Sequence, residues 1–279
     1  MSQNNQSAAD SIAADYYDST DADQFYELVW GGEDIHIGLY ANPEEAIAVA
    51  SERTVSSLMD LAADLPSGGC IVDLGSGYGG ASRRLTRFSS RPIHAVNISA
   101  VENERHRRLN QEAGLSERIT VHNASFEDVP LEDGCADLVW SQDAILHAGD
   151  REKVLAEVSR LLKPGGCFVF TDPMAADGVE MALLKPILDR IHLSDLGSPE
   201  RYRAFGEVVG LKLEVWDERT SMLVRHYSRV RDETRRSREA LEKTISADYL
   251  DRMDRGLGYW IEGGEQGRLS WGLMRFRKK

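Results

Sequence analysis

Residues Cys70-Ile71-Val72-Asp73-Leu74-Gly75-Ser76-Gly77-Tyr78-Gly79-Gly80 join an apolar run, a carboxylate near its end and a glycine turn, and no other stretch narrows so far what the chain can become. Ile71 and Val72 ahead of Asp73 fit a buried strand, while Leu85 and Phe88 beyond Gly80 fit the helix that such a loop opens. Glycine is called for where backbone must approach a ligand closely, in places at positive φ. The stretch reads as the strand and loop of a cofactor site.

Gly75, Gly77 and Gly80 also satisfy GxGxxG spacing, so the glycines alone do not separate a nicotinamide enzyme from an S-adenosylmethionine enzyme. Asp73 does. A fixed carboxylate beside the turn repels a pyrophosphate seated on the helix N-terminus and attracts an amino group and a sulfonium. The plain structural alternative has Asp73 accepting hydrogen bonds from the amides of its own turn.

Strand and helix patterns alternate from there, with strands expected at 71–74, 93–98, 119–122, 136–140 and 167–171 and helices from Gly80, from Ala100 and over 151–162. Such alternation predicts an α/β fold, a mostly parallel sheet with helices on both faces. Lys163-Pro164-Gly165-Gly166 reads as the glycine-capped turn between the last of these helices and its strand. Upstream, aromatic residues among acids over 11–30 suggest one or two short helices outside the core. Asn42-Pro43-Glu44-Glu45 reads as N-cap, first-turn proline and capping-box glutamate of a helix reaching about residue 65.

Beyond Asp172, Pro173, Pro186 and Pro199 cut short helical segments. A strand is expected over 211–216, a charged helix over 222–243 and a last alternating run over 268–276, the two strand-like runs forming an antiparallel edge pair. The chain divides into an N-terminal lid and first helix (1–65), a cofactor-binding core (66–175), and substrate-covering segments with the final strands of the same domain (176–279).

The 279 residues carry a net charge of −13, which disfavours nucleic acid or an anionic membrane as partner. Lysine is scarce beside arginine and the carboxylates, a balance that fits either a salt-adapted cytoplasm or ordinary acidic drift. Cys70, Cys135 and Cys167 sit in or beside apolar runs without metal-ligand spacing and read as small core residues in a reducing compartment. No metal is expected. A polar N-terminus and the lack of any apolar run of about 18 residues point to a cytoplasmic protein.

Asp73 with its glycines, the strand ending at Asn97, the run Asn123-Ala124-Ser125-Phe126-Glu127-Asp128-Val129-Pro130 and Leu161-Leu162-Lys163-Pro164-Gly165-Gly166 together resemble the class I S-adenosylmethionine-dependent methyltransferases over most of 66–175. More narrowly, WGGEDIHIGLY (Trp30 to Tyr40) and SQDAILHAGD (Ser141 to Asp150) are similar to the sarcosine/dimethylglycine N-methyltransferases, which make glycine betaine in salt-tolerant microbes. The resemblance implies a Rossmann-like fold with an N-terminal helical lid. It also implies S-adenosylmethionine as cofactor and a small amino acid, sarcosine or dimethylglycine, as substrate for a monomer or homodimer.

The resemblance further implies that the methionine end of the cofactor meets Asp73, Gly75 and Gly77. An acid commonly ends the second strand to hold the ribose, and Asn97 stands there instead, with Ser99 to share the contact. Ser125 replaces an aspartate at the adenine amino group, and Phe126 either stacks on the ring or packs in the core. Gln142 completes the cofactor set, at the carboxyl end of a buried strand.

Asp143 and His147 share a face if a helical turn begins at Asp143. By resemblance they act with an N-terminal tyrosine, Tyr17 or else Tyr16, while Trp30, His36 and Tyr40 form a lid. A permanent cation as product suits aromatic walls, for which Trp30, Tyr227 and Tyr259 are candidates. A substrate carboxylate suits an arginine, Arg225 or Arg229. Three other readings stand beside this one: methylation of phosphoethanolamine or another small amine, a nicotinamide oxidoreductase, and a cofactor-binding regulatory protein.

Overall fold

The structure, a computed structural model, describes residues 19–30, 33–62 and 64–279. Five parallel strands, β1 (Cys70–Leu74), β2 (Ile93–Asn97), β3 (Ile119–Asn123), β4 (Ala136–Gln142) and β5 (Leu162–Thr171), form most of one sheet. Two more strands belong to it, β7 (Leu211–Glu218) and β9 (Gly272–Lys278), in the order β3-β2-β1-β4-β5-β9-β7. A separate antiparallel pair joins β6 (Met174–Ala175) to β8 (Leu269–Ser270).

Alternation along β1 divides the core. Val72 and Leu74 join Val139, Phe168 and Phe170 on one face, under Val154, Leu155 and Val158 of helix α5 (Arg151–Leu161). Ile71 joins Leu138, Trp140 and Val169 on the other, under Val55 and Leu58 of α2 (Ile47–Leu61) and Leu85 of α3 (Gly80–Phe88). Helix α4 (Ala100–Glu112) follows β2. The expected antiparallel pair is present, with β9 pairing β5 on one side and β7 on the other.

Three local expectations give way. Helix α2 begins at Ile47, because Asn42 Oδ1 accepts from Glu44 N at 3.1 Å and Glu45 Oε2 accepts from Ala41 N at 2.9 Å, closing a separate turn ahead of the helix. Lys163 to Gly166 is a bulge within β5, whose ladder pairs Leu162 with Ala136 and resumes at Cys167 opposite Leu138. The described part of the 11–30 segment, residues 19–30, is not outside a core: in α1 (Thr20–Phe25) and the following turn Tyr26–Trp30, Phe25, Tyr26, Val29 and Trp30 are buried.

Those aromatics join a further apolar cluster with the C-terminal helices. These are α6 (Lys185–Ile191), α8 (Thr220–Arg236), α9 (Arg238–Leu241) and α10 (Ala247–Glu265), whereas α7 (Pro199–Val208) packs its Tyr202 with Phe168 and Phe170 on the sheet. The charged helix expected over 222–243 is thus α8, and α8 packs against α10. No helix among the described residues is long and apolar enough to cross a membrane.

Candidate active site

The loop after β1 places Gly75, Gly77 and Gly79 at φ 73°, 48° and 81°, in the left-handed region that glycine enters without steric cost. A Cβ on Gly75 would stand 2.3 Å from Ala144 Cβ, so the close approach of this loop to β4's end needs glycine as well. Gly75 N and Ser76 N both donate to Val96 O, at 2.8 and 3.2 Å, which pins the loop over the end of β2.

A cavity of about 560–660 Å³ on each side of Asp143 results from these and neighbouring elements. The first, about 660 Å³, is lined by Gly75, Gly77, Asn97, Ser99, Ser125, Phe126 and Gln142. Asp73 does not line it. Side-chain alternation turns its carboxylate toward α3, where Oδ2 accepts from Ser82 Oγ at 2.6 Å, and burial pushes its pKa up to about 6. Asp73 therefore ties β1 to the helix after the loop.

Glu102, which sequence reasoning missed, lines the same cavity. It lies in the first turn of α4, is 4% exposed, and its Oε2 accepts from Asn97 Nδ2 at 2.9 Å. The carboxylate absent from the end of β2 is thus supplied five residues later. Its sequence signal is Ser99-x-x-Glu102, a capping-box spacing, and Ser99 Oγ does accept from Glu102 N at 3.1 Å.

The second cavity, about 560 Å³, is walled by Tyr26, Trp30, Tyr227 and Trp260. Trp30 meets Tyr26 and Tyr227 edge to face at 5.3 and 6.0 Å between ring centroids, and Tyr227 lies 5.4 Å from Trp260. Trp30 Nε1 has no acceptor among the described residues. Arg190 of α6 and Met253 of α10 also face this space.

Ile35, Asp143 and His147 line both cavities and mark where they meet. No helical turn begins at Asp143. It holds φ 50°, its N–H donates to Thr171 O at 2.9 Å, and a 3-10 turn follows at Ile145–His147. Asp143 Oδ2 accepts from Ile37 N at 2.6 Å and Oδ1 from Trp271 Nε1 at 2.8 Å, so lid backbone and C-terminal segment converge on one carboxylate.

The turn carrying His147 is clamped from behind, as Leu146 N donates to Asp172 Oδ1 at 2.9 Å and Arg151 Nη2 donates to Leu146 O at 2.8 Å. Burial and the Arg151 charge lower His147 to about 4, leaving a neutral imidazole at neutral pH. Burial raises Asp143, opposed by the His36 charge and by its own hydrogen bonds.

The lid is held by buried polar groups. His226 Nδ1 bonds Gly38 N at 3.1 Å and Tyr40 OH at 3.0 Å, while His36 Nε2 lies 3.7 Å from Asp34, itself bound by Arg84 at 2.9 Å. Burial lowers His36, but Asp34 and Asp143 outweigh it and raise its pKa.

Arg225 and Arg229 line an outward groove beside Asp232 and Arg236, away from the aromatic cavity. Tyr227 faces inward from α8, and Arg225, two positions earlier on a helix of 3.6 residues per turn, lies nearly opposite. Tyr259 is likewise exposed, at 39%, and its neighbour Trp260 takes the wall position. Tyr16 and Tyr17 lie outside the described residues. No group of three metal-binding side chains occurs among the described residues.

The first cavity fits a nucleoside joined to an amino acid: a glycine turn for close backbone approach, an apolar ring at Phe126, a carboxylate at Glu102, and Gln142 Nε2 without a partner among the described residues. The second, with aromatic walls, fits a small organic cation. Their junction at a carboxylate and a neutral imidazole suits transfer of a group between two bound molecules.

A family profile described as a methyltransferase domain matches residues 72–170. The chain is 76% identical over 278 residues to a dimethylglycine N-methyltransferase of Parasynechococcus marenigrum (strain WH8102), covering 100% of this chain and 99% of that one. It is 48% identical to a sarcosine/dimethylglycine N-methyltransferase of Aphanothece halophytica, covering 95% and 96% of the two chains. A crystal structure from Galdieria sulphuraria, described as a sarcosine dimethylglycine methyltransferase, superposes with a TM-score of 0.86 at 44% identity, covering 92% of this chain and 98% of that one.

Proposed function

The chain belongs to the sarcosine/dimethylglycine N-methyltransferases, and from that premise we propose which residues carry each part of the reaction. The protein methylates sarcosine and dimethylglycine from S-adenosylmethionine, giving glycine betaine. The observation that carries the assignment of parts is the meeting of the glycine-loop cavity and the aromatic cavity at Asp143 and His147.

Gly75, Gly77 and Gln142 would hold the methionine end of the cofactor, Asn97, Ser99 and Glu102 its ribose, and Ser125 with Phe126 its adenine. S-adenosylmethionine supplies, when bound, a methyl group on a positively charged sulfur. Trp30, Tyr26, Tyr227 and Trp260 exclude water around the amine and face its positive charge. A dimethylammonium holds its proton in neutral water, so the site must favour the free amine. Asp143 and His147 would orient the amine and help carry that proton off toward water, with Tyr17 completing the set. The same reading takes the protein as a monomer or homodimer of the cytoplasm, a reducing compartment that its three free cysteines suit.

Phosphoethanolamine fits less well. A phosphate dianion calls for a basic cluster, whereas among the described residues Arg190 is the one guanidinium lining the aromatic cavity. The reading is tested by offering glycine, sarcosine, dimethylglycine and phosphoethanolamine separately with methyl-labelled S-adenosylmethionine. Labelled betaine from dimethylglycine is the expected result, and label in the phosphobase alone overturns it.

A further inference from the structure

We infer that Arg190 anchors the substrate carboxylate, so that this side chain selects an amino-acid acceptor over a simple amine; the inference rests on the amine-methylation reading above.

Its position comes first. The junction with the cofactor cavity lies at Asp143 and His147, which line both spaces, whereas Arg190 lines only the aromatic one and the outer depression beyond it, beside Tyr249 and Arg252. Arg190 therefore closes the wall away from the transfer point. An acceptor whose nitrogen sits at the junction directs its other end toward that wall. In sarcosine and dimethylglycine the other end is a carboxylate one methylene away, the group that a guanidinium fork matches best.

The helix facing Arg190 is shaped around it. Met253 and Gly256 share one face of α10, and Arg190 Nη2 donates to Met253 Sδ at 2.7 Å. A Cβ on Gly256 would stand 1.8 Å from Arg190 Nε and 2.6 Å from its Cζ. Glycine inside a helix costs roughly 1 kcal/mol relative to alanine, and here it leaves room for the guanidinium. Across the same cavity Trp30 Nε1, buried and without an acceptor among the described residues, provides a second donor.

Binding of glycine betaine and of choline to protein saturated with S-adenosylhomocysteine isolates the carboxylate, because both ligands carry a trimethylammonium head and choline ends in a hydroxymethyl. Wild type is expected to prefer betaine. Arg190→Gln should weaken betaine about 10- to 100-fold, the range of a hydrogen-bonded charge, and leave choline within about twofold. Arg190→Lys should fall between, retaining charge without the fork.

Gly256→Ala displaces the guanidinium while improving helix propensity, so it should weaken betaine at an unchanged or higher melting temperature; it decides the matter if Arg190→Gln does not fold. Equal weakening of betaine and choline, or betaine binding in both variants as in wild type, overturns the inference. Failure of wild type to methylate dimethylglycine would instead remove the reading of the reaction, independently of these ratios.

Discussion

Trp271 Nε1 donates to Asp143 Oδ1 at 2.8 Å, so a residue between β8 and β9 fixes the carboxylate at which the two cavities meet. Asp143 is further held by the Ile37 amide of the lid at 2.6 Å, and three distant parts of the chain converge there.

Trp271→Phe keeps an aromatic ring in this buried position and removes the donor. A hydrogen bond to a charged group contributes about 1.5–3 kcal/mol. The expected outcome is a lower melting temperature and a kcat/KM for dimethylglycine reduced about tenfold or more, with S-adenosylhomocysteine affinity by calorimetry within about twofold of wild type. An unchanged kcat/KM would show that Asp143 does not need this bond.

Glu102 supplies to the first cavity the acid that Asn97 does not. Glu102→Gln keeps shape and removes charge, and should weaken S-adenosylhomocysteine about tenfold or more while leaving KM for dimethylglycine unchanged. Calorimetry and steady-state kinetics on one preparation read both. A shift in KM alone would move Glu102 out of the cofactor site.

His147 sits at about 4, below an ordinary histidine near 6.5. A depressed histidine is bound to its proton more readily in the unfolded chain, so its contribution favours folding increasingly as pH rises from about 4 to 6.5. His147→Gln should flatten that rise in denaturant-unfolding curves and lower kcat at neutral pH about tenfold or more, as loss of a group that orients the amine does. Full activity at neutral pH in the variant would remove the imidazole from the mechanism.

His36 behaves with the opposite sign. Asp34, 3.7 Å away, and Asp143 raise it, so the contact stabilises the folded lid fully below the ordinary histidine value and is lost as pH rises through the raised one. Hydrogen exchange of the Ile37 and Gly38 amides, corrected for intrinsic rates, should show protection falling as pH rises through the raised His36 value in wild type and little pH dependence in His36→Gln. Identical profiles in the two proteins would refute the role of His36.

The sheet was legible because its strands are apolar runs with turn signals at their ends, and the cofactor loop because glycines at positive φ cannot readily be replaced there. Gly75, Gly77, Asn97, Ser99, Ser125, Phe126 and Gln142 could be placed together because they lie at strand ends or shortly after them. What escaped depends on helix rotation and tertiary contact. Arg225 and Arg190 are equally plausible as sequence, and only packing turns one outward and the other to the cavity.

One step along α10 likewise separates exposed Tyr259 from Trp260 in the wall. The charge of Asp73 is visible in the sequence, but the direction of its side chain depends on packing. In the strand it faces Ser82. Glu102 carried a capping-box signature that hid its position on the cavity. Trp271, between two strands far from the cofactor motifs, offered no local signal for its partner Asp143.

The most direct measurement is a crystal structure of the complex with S-adenosylhomocysteine and glycine betaine. The expected density places the cofactor over Gly75 and Gly77 with its sulfur toward Asp143 and His147, the betaine nitrogen facing that sulfur within the walls of Trp30, Tyr227 and Trp260, and the carboxylate at Arg190. Betaine bound outside the aromatic cavity, or turned with its carboxylate toward the sulfur, would contradict the assignment of the two cavities to donor and acceptor.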